Sequence, residues 1–271
     1  MSPLPSNRNP EIVETPSIAF ITFTNKGYLP YTLNCLKSLD NIGFTGILKC
    51  YALDKTAYIR LKDKGYEAFY HNQDSFADFE SYKNGKWHDL MFIKFNVILE
   101  NLKTNDYVCY TDGDVVFENK DFISYCFELI TDKDLLVQND TMQNDCHDGL
   151  CAGFMFIKSN STTLNFFQQT ISLRKSLILR NMDDQDYLNE YKSELNYGFL
   201  PLELFPNGRF YRENRLHIKP MMIHFNWMIG HEKAYWILYV RKWQSLVLGV
   251  SFFKLWVQQK GNRLTRYLFK S

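Results

Sequence analysis

The chain has 271 residues, enough to bury a full core without disulfide or metal staples. Its 45% hydrophobic and 16% aromatic content excludes a disordered polymer. A net charge of +1 gives no chain-wide attraction to nucleic acid, but the charge is uneven: residues 233–271 carry eight Lys and Arg and no Asp or Glu, leaving −7 on residues 1–232.

Residues 1–16 are polar and proline-bearing, without an apolar signal core, and read as a flexible segment. Residues 17–24 form a strand candidate and 25–27 a turn. Pro30 then opens a helix whose apolar positions Leu29, Leu33, Leu36 and Leu39 recur at helical spacing. A strand over 48–53, a polar helix over 56–64 and a strand over 67–71 follow. This alternation builds an α/β fold with a mostly parallel sheet that binds ligands at its carboxyl edge. Residues 72–87 read as a loop, 88–102 as a helix, and the next strand ends at Asp112. Beyond it come a helix over 122–130, a strand over 135–138, an irregular polar segment over 139–149, a strand over 151–158 and a helix over 162–173. Acids at 183–186 open a short helix, 201–214 is loop-rich, and 221–225 is a short strand.

The six cysteines, Cys35, Cys50, Cys109, Cys126, Cys146 and Cys151, have no metal-ribbon or CxxC spacing. Reduced thiols and a cytoplasmic location are expected; only Cys146 and Cys151 are close enough in sequence to suggest a bridge.

Three Asp-x-Asp triplets occur, at 112–114, 132–134 and 184–186, so a bare match carries little weight. Only Asp112-Gly113-Asp114 follows an apolar, β-prone run. There a buried strand end would carry two carboxylates into a cleft, oxygen ligands suited to Mg²⁺ or Mn²⁺, which can in turn hold a diphosphate. The plainer alternative is a turn between two strands. An EF-hand is excluded because the Gly and Glu that calcium coordination needs are missing from their positions.

Tyr110-Thr-Asp-Gly-Asp-Val-Val-Phe117 resembles the Asp-x-Asp segment of GT-A-fold nucleotide-diphospho-sugar transferases, in particular the group containing glycosyltransferase family 77 and its short algal and large-DNA-virus forms. Lys94, Cys151-Ala-Gly-Phe-Met-Phe-Ile-Lys158, Asp184-Gln185, Leu204-Phe-Pro-Asn-Gly208 and His224-Phe-Asn-Trp-Met-Ile-Gly-His-Glu-Lys233 agree in order. Cys151 departs from the pattern, which often has a polar residue there. The resemblance implies a GT-A, Rossmann-like single domain over 17–243 and a transfer from a UDP-linked sugar to a saccharide or glycoconjugate with retention.

On that resemblance Asp114, Asp112 and His224 would hold Mn²⁺ or Mg²⁺, although a strand-end His is more commonly a satisfied structural residue. Donor contacts would come from Thr22, Thr24, Asn25, Lys94, Thr111, Gly113, Gly230 and Lys233, glycine allowing close backbone approach and lysine supplying a point charge. Asp184 and Gln185 would lie by the transferred sugar, or simply form a helix N-terminal acidic cluster. His147, Asp148 and Trp227 are acceptor candidates; core packing is the commoner use of a Trp.

Residues 244–271 interleave aromatic and basic side chains. Their apolar run is too short to span a bilayer, and they read either as a basic helix on an anionic membrane surface or as a core-packing helix. Two other functions fit the same residues. One is a haloacid-dehalogenase-type phosphatase with Asp112 as nucleophile and Asp114 as general acid; the other is an inert sugar-binding module.

Overall fold

Strands and helices alternate from the start, in a computed structural model that describes residues 15–72, 87–146, 148–228 and 231–244. The order is β1 (Ile18–Thr24), α1 (Leu29–Asn41), β2 (Leu48–Ala52), α2 (Lys55–Asp63), β3 (Ala68–Tyr70), α3 (Trp87–Leu102) and β4 (Tyr107–Thr111). Pro30 sits in the first turn of α1, where its missing N–H costs nothing. Asp54 caps α2 by accepting from Ala57 N, and its other oxygen accepts from Lys26 N, which ties the turn after β1 to the next helix.

After β4 come β5 (Val115–Phe117), α4 (Phe122–Ile130), β6 (Leu135–Asn139), β7 (Leu150–Lys158), α5 (Ser161–Leu179), α6 (Asp184–Glu190), β8 (Tyr197–Leu200), α7 (Gly208–Asn214), β9 (Met222–His224) and α8 (His231–Tyr239). Among the described residues seven strands form one sheet in the order β3-β2-β1-β4-β7-β6-β8. β7 runs antiparallel to β4 and β6, while β1–β2, β1–β4, β2–β3 and β6–β8 pair in parallel, so the central sheet is mostly parallel.

Near-continuous apolar runs in β1, β4, β6 and β7 reflect a sheet covered on both faces. One face packs Ile21, Val108 and Tyr110 against Phe92, Phe95, Phe167 and Tyr187 of α3, α5 and α6. The other packs Phe20, Cys109 and Phe154 against Leu33, Leu36, Leu61 and Phe122 of α1, α2 and α4. Each such side chain contributes about 1.5–3 kcal/mol on burial.

The apolar run after Asp114 does not continue the main sheet. β5 turns away and pairs antiparallel with β9 in a separate two-stranded ribbon that sets Val115 opposite His224. The sequence also under-reads three other elements. α5 extends past 173 to Leu179, stabilised there by Arg174 bonding Asp89. Tyr197–Leu200 is a strand because β6 offers it a parallel edge despite its glycine. Gly208–Asn214 is helical, capped by Asn207, which accepts from Phe210 N.

All six cysteines are free thiols, five of them buried, so Cys146 and Cys151 form no bridge. Among the described residues no helix is long and apolar enough to cross a membrane. The readings of residues 1–14, most of the 72–87 loop, and the tail from 245 onward fall outside the described residues.

Candidate active site

β1 and β4 run in parallel, and their carboxyl ends open into a cleft of about 550 Å³. The turn Asp112-Gly113-Asp114 lies at its floor and packs against α1. A Cβ on Gly113 would come within 2.5 Å of Thr32 Oγ1 and 3.3 Å of the Thr32 backbone. Glycine is therefore required by close approach.

Three side chains meet above this turn. His224 Nε2 lies 3.3 Å from Asp114 Oδ1 and 3.8 Å from Asp112 Oδ2. One ligand atom from each of Asp112, Asp114 and His224 falls within 4.8 Å of the others. The opposite ring nitrogen, Nδ1, faces Gln138 Oε1 at 2.7 Å. Gln138 Nε2 in turn donates to the Phe205 carbonyl at 3.0 Å, so Oε1 accepts and Nδ1 donates. In a neutral ring this leaves a lone pair on Nε2 facing two carboxylates. Three electron-rich atoms converge with no donor among them, an arrangement that fits a hard divalent cation.

Gly153 makes room for the imidazole. A Cβ there would lie 2.1 Å from His224 Cε1 and 2.9 Å from Asp112 Oδ2. The Gly153 carbonyl also accepts Asp112 N–H at 2.7 Å, so this one backbone position both anchors the turn and clears the ring.

The two carboxylates have different cationic partners. Asp114 pairs with Lys233 Nζ of α8. Burial opposes its charge, but Lys233, and His224 when protonated, outweigh burial and hold its carboxyl well below the usual range. Asp112 Oδ1 accepts from the Tyr110 hydroxyl at 2.6 Å and pairs with Lys94 Nζ at 3.1 Å, which leaves Oδ2 turned toward His224.

Lys94, nearly inaccessible on α3, also donates to the Ala152 carbonyl at 3.1 Å and pairs with Asp184 Oδ2 at 2.5 Å. Burial works against its charge, but Asp112 and Asp184 reverse that and raise its pKa. Burial pushes the Asp184 carboxyl up to about 6 against the pull of Lys94.

A second polar cluster lies beside the first. Half-buried Asp140, just past β6, accepts from Asn226 Nδ2 at 2.7 Å and Trp227 Nε1 at 2.8 Å through Oδ1, and from Gln185 Nε2 at 2.9 Å through Oδ2. Burial raises its pKa, and the bonds from Trp227, Gln185 and Asn226 work against that rise. Trp227 is 56% exposed although its indole N–H is anchored, and its backbone is left-handed at φ 61°. That conformation costs a non-glycine residue about 1–3 kcal/mol and is concentrated at functional sites. The ring thus forms a fixed aromatic wall on the cleft, with the Arg209 guanidinium 5.8 Å from its centroid.

Most of the residues singled out in the sequence come together here: Thr24, Asn25, Lys94, Asp112, Gly113, Asp114, Asp184, Gln185, His224, Trp227 and Lys233 all line the cleft. Three do not. Thr22 and Thr111 are fully buried in strands, their hydroxyls within reach of the Phe23 and Asp112 carbonyls: Thr22 shares a face with Thr24 but lies two residues back from the end of β1, and Thr111 points to the sheet face opposite Asp112. Asp148 lies outside the cleft with its side chain 90% exposed and 3.7 Å from Lys192. His147 and Gly230 lie outside the described residues. Lys94 pairs with Asp112 and Asp184 and donates to the Ala152 carbonyl, contacts that brace the turn from the cleft wall.

Sequence reading missed Gln138, Asp140, Gly153 and Asn226. Gly153 interrupts an apolar strand run, a signal present in the chain, whereas Gln138, Asp140 and Asn226 carry none of their own.

Known proteins share this architecture. WbbM, a bifunctional glycosyltransferase solved without ligand, superposes with a TM-score of 0.57 at 14% identity, covering 92% of this chain and 52% of that one. A glycosyltransferase involved in glycosylating the major capsid of PBCV-1 gives 0.53 at 12% identity, covering 83% and 99%. These likenesses establish the GT-A fold. In sequence the chain is 26% identical over 276 positions to UDP-galactose:fucoside alpha-3-galactosyltransferase of Dictyostelium discoideum. The alignment covers 78% of the chain but only 40% of that relative's length. The nucleotide-diphospho-sugar transferase family matches residues 50–235, a span holding the Asp112–Asp114 turn, Asp184, His224 and Lys233. The chain belongs to that family of nucleotide-diphospho-sugar transferases.

Proposed function

We propose that the protein transfers galactose from UDP-galactose to a hydroxyl of a glycan or glycoconjugate, with retention, using Mn²⁺ or Mg²⁺ held by Asp112, Asp114 and His224. The observation that carries this reading is the convergence of one ligand atom each from Asp112, Asp114 and His224, all within 4.8 Å of one another, beside Lys233. A divalent cation there would act as a Lewis acid on the leaving diphosphate. Lys233, with its side chain 19% exposed, brings a positive charge to the same place. Thr24 and Asn25 bound the nucleotide side at the end of β1. Asp184 and Gln185 offer a carboxylate and an amide to the sugar, and Trp227 offers a ring face on which an acceptor sugar would stack.

The donor and linkage are supported by the Dictyostelium relative, whose name specifies UDP-galactose and an α-3 product. Transfer from an α-configured nucleotide sugar to an α-linked product is net retention. A phosphatase with Asp112 as nucleophile is set aside: its motif ends the first core strand, whereas β4 is the fourth strand among the described residues, and Asp112 Oδ1 is already held by Tyr110 and Lys94. For residues 244–271 we keep the reading of a basic segment on the cytosolic membrane surface, supported by composition alone. Equal liposome flotation by the full chain and a 1–243 truncation would remove it.

The deciding experiment is a thermal-shift panel of UDP- and GDP-sugars with and without Mn²⁺, since a ligand bound only by the native state raises the melting temperature. A rise requiring both Mn²⁺ and a uridine nucleotide supports the proposal, and no rise with any pair defeats it. Incubation with fucosides and other saccharides then separates turnover from mere binding, and NMR of the product's anomeric proton reads retention.

A further inference from the structure

Gln138 is wholly buried and lies outside the cleft lining. It stands where the ladder between β6 and β7 breaks: Val137 pairs with Met155, but Gln138 pairs with Cys151, so residues 152–154 face an interruption. Irregularities of this kind re-aim side chains next to active sites. Here the break coincides with three site contacts: Ala152 O takes Lys94, Gly153 O takes Asp112 N–H, and the Gln138 amide reaches His224.

The amide has one orientation. Its Nε2 donates to the Phe205 carbonyl, which can only accept, so Oε1 faces His224 Nδ1 and obliges that nitrogen to carry the proton. Cys151 Sγ, 3.6 Å from the same nitrogen, is a weak acceptor and a poor replacement. We propose that Gln138 is a positioning residue that locks neutral His224 in its Nδ1–H tautomer, so that the Nε2 lone pair is presented as a ligand to a divalent cation. The proposal rests on reading Asp112, Asp114 and His224 as a cation site. An outer partner that fixes tautomer and ring angle commonly accounts for 10–100-fold of metal affinity.

The test uses the full chain without nucleotide. Mn²⁺ titration followed by the EPR signal of the free ion should show affinity falling about 10–100-fold in Gln138→Leu and staying within about threefold in Gln138→Glu, which keeps an acceptor. Circular dichroism checks that each variant is folded. On the wild-type protein, ¹⁵N NMR of the His224 ring at about pH 8 reads the tautomer directly, whether or not a variant folds. A proton on Nδ1 is expected, and a proton on Nε2 overturns the proposal. If the wild type binds Mn²⁺ and folded Gln138→Leu binds it equally well, the role of Gln138 fails while the cation site stands. If the wild type binds no Mn²⁺, both fail.

Discussion

His224 Nε2 and Asp114 Oδ1 lie 3.3 Å apart because β9 pairs with β5 in a register that sets His224 opposite Val115, the residue after Asp114. A slip of one position would turn the imidazole to the other face of the ribbon. The register is held at both ends: Phe225 N donates to Asp114 O at 3.1 Å, and Glu118 N to Met221 O at 2.8 Å.

Removing the charge of Asp114 should remove the cation. In Asp114→Asn we expect Mn²⁺-dependent stabilisation by uridine nucleotides to disappear and transfer to fall at least about a hundredfold, the scale seen when one strong transition-state electrostatic contact is lost. Thermal shift and a radiolabelled-sugar assay measure the two effects. EDTA should reproduce the loss in the wild type, and added Mn²⁺ should reverse it. Activity indifferent to chelation would reject the assignment.

Gly153→Ala places a methyl 2.1 Å from His224 Cε1, so ring or backbone must move. The expected cost is about 1–3 kcal/mol of stability, as for other overpacked sites, together with weaker Mn²⁺ binding. Urea unfolding and EPR titration report them separately. A variant as stable and as metal-competent as the wild type would show that the ring is not confined there.

Lys94→Met leaves Asp112 and Asp184 without the cation between them. We expect a loss of about 3 kcal/mol or more, the usual result of removing one partner from a buried pair. Adding Asp184→Asn should restore part of it, because one uncompensated carboxylate is then gone. Guanidinium unfolding of the single and double variants gives the coupling, and strict additivity would argue that the two residues act independently.

Trp227→Ala tests the acceptor wall. Its ring is largely exposed, so the stability loss should not exceed that of its one hydrogen bond to Asp140, about 1.5–3 kcal/mol, whereas the acceptor KM should rise about tenfold if a sugar face stacks there. The KM for the nucleotide sugar should hold steady. Initial-rate kinetics with each substrate varied in turn decide it, and an unchanged acceptor KM would dismiss the platform.

Much of this protein could be read from its chain. The strand–helix alternation up to Asp112 is local: apolar runs, Pro30 in the first turn of α1 and Asp54 as a cap act over a few residues, so sequence alone sets β1 through β4 and the carboxylates at the end of β4. Lys233 and His224 were legible as candidates because their residue types suit phosphate and metal. Their partners were decided only in three dimensions, since pairing of β5 with β9 and the reversed direction of β7 depend on contacts between distant segments. The same holds for Gln138 and Asp140. Each is an unremarkable polar residue in the chain, and its role exists only because a break in the β6–β7 ladder and the approach of β9 bring hydrogen-bond partners from far along the sequence to its side chain.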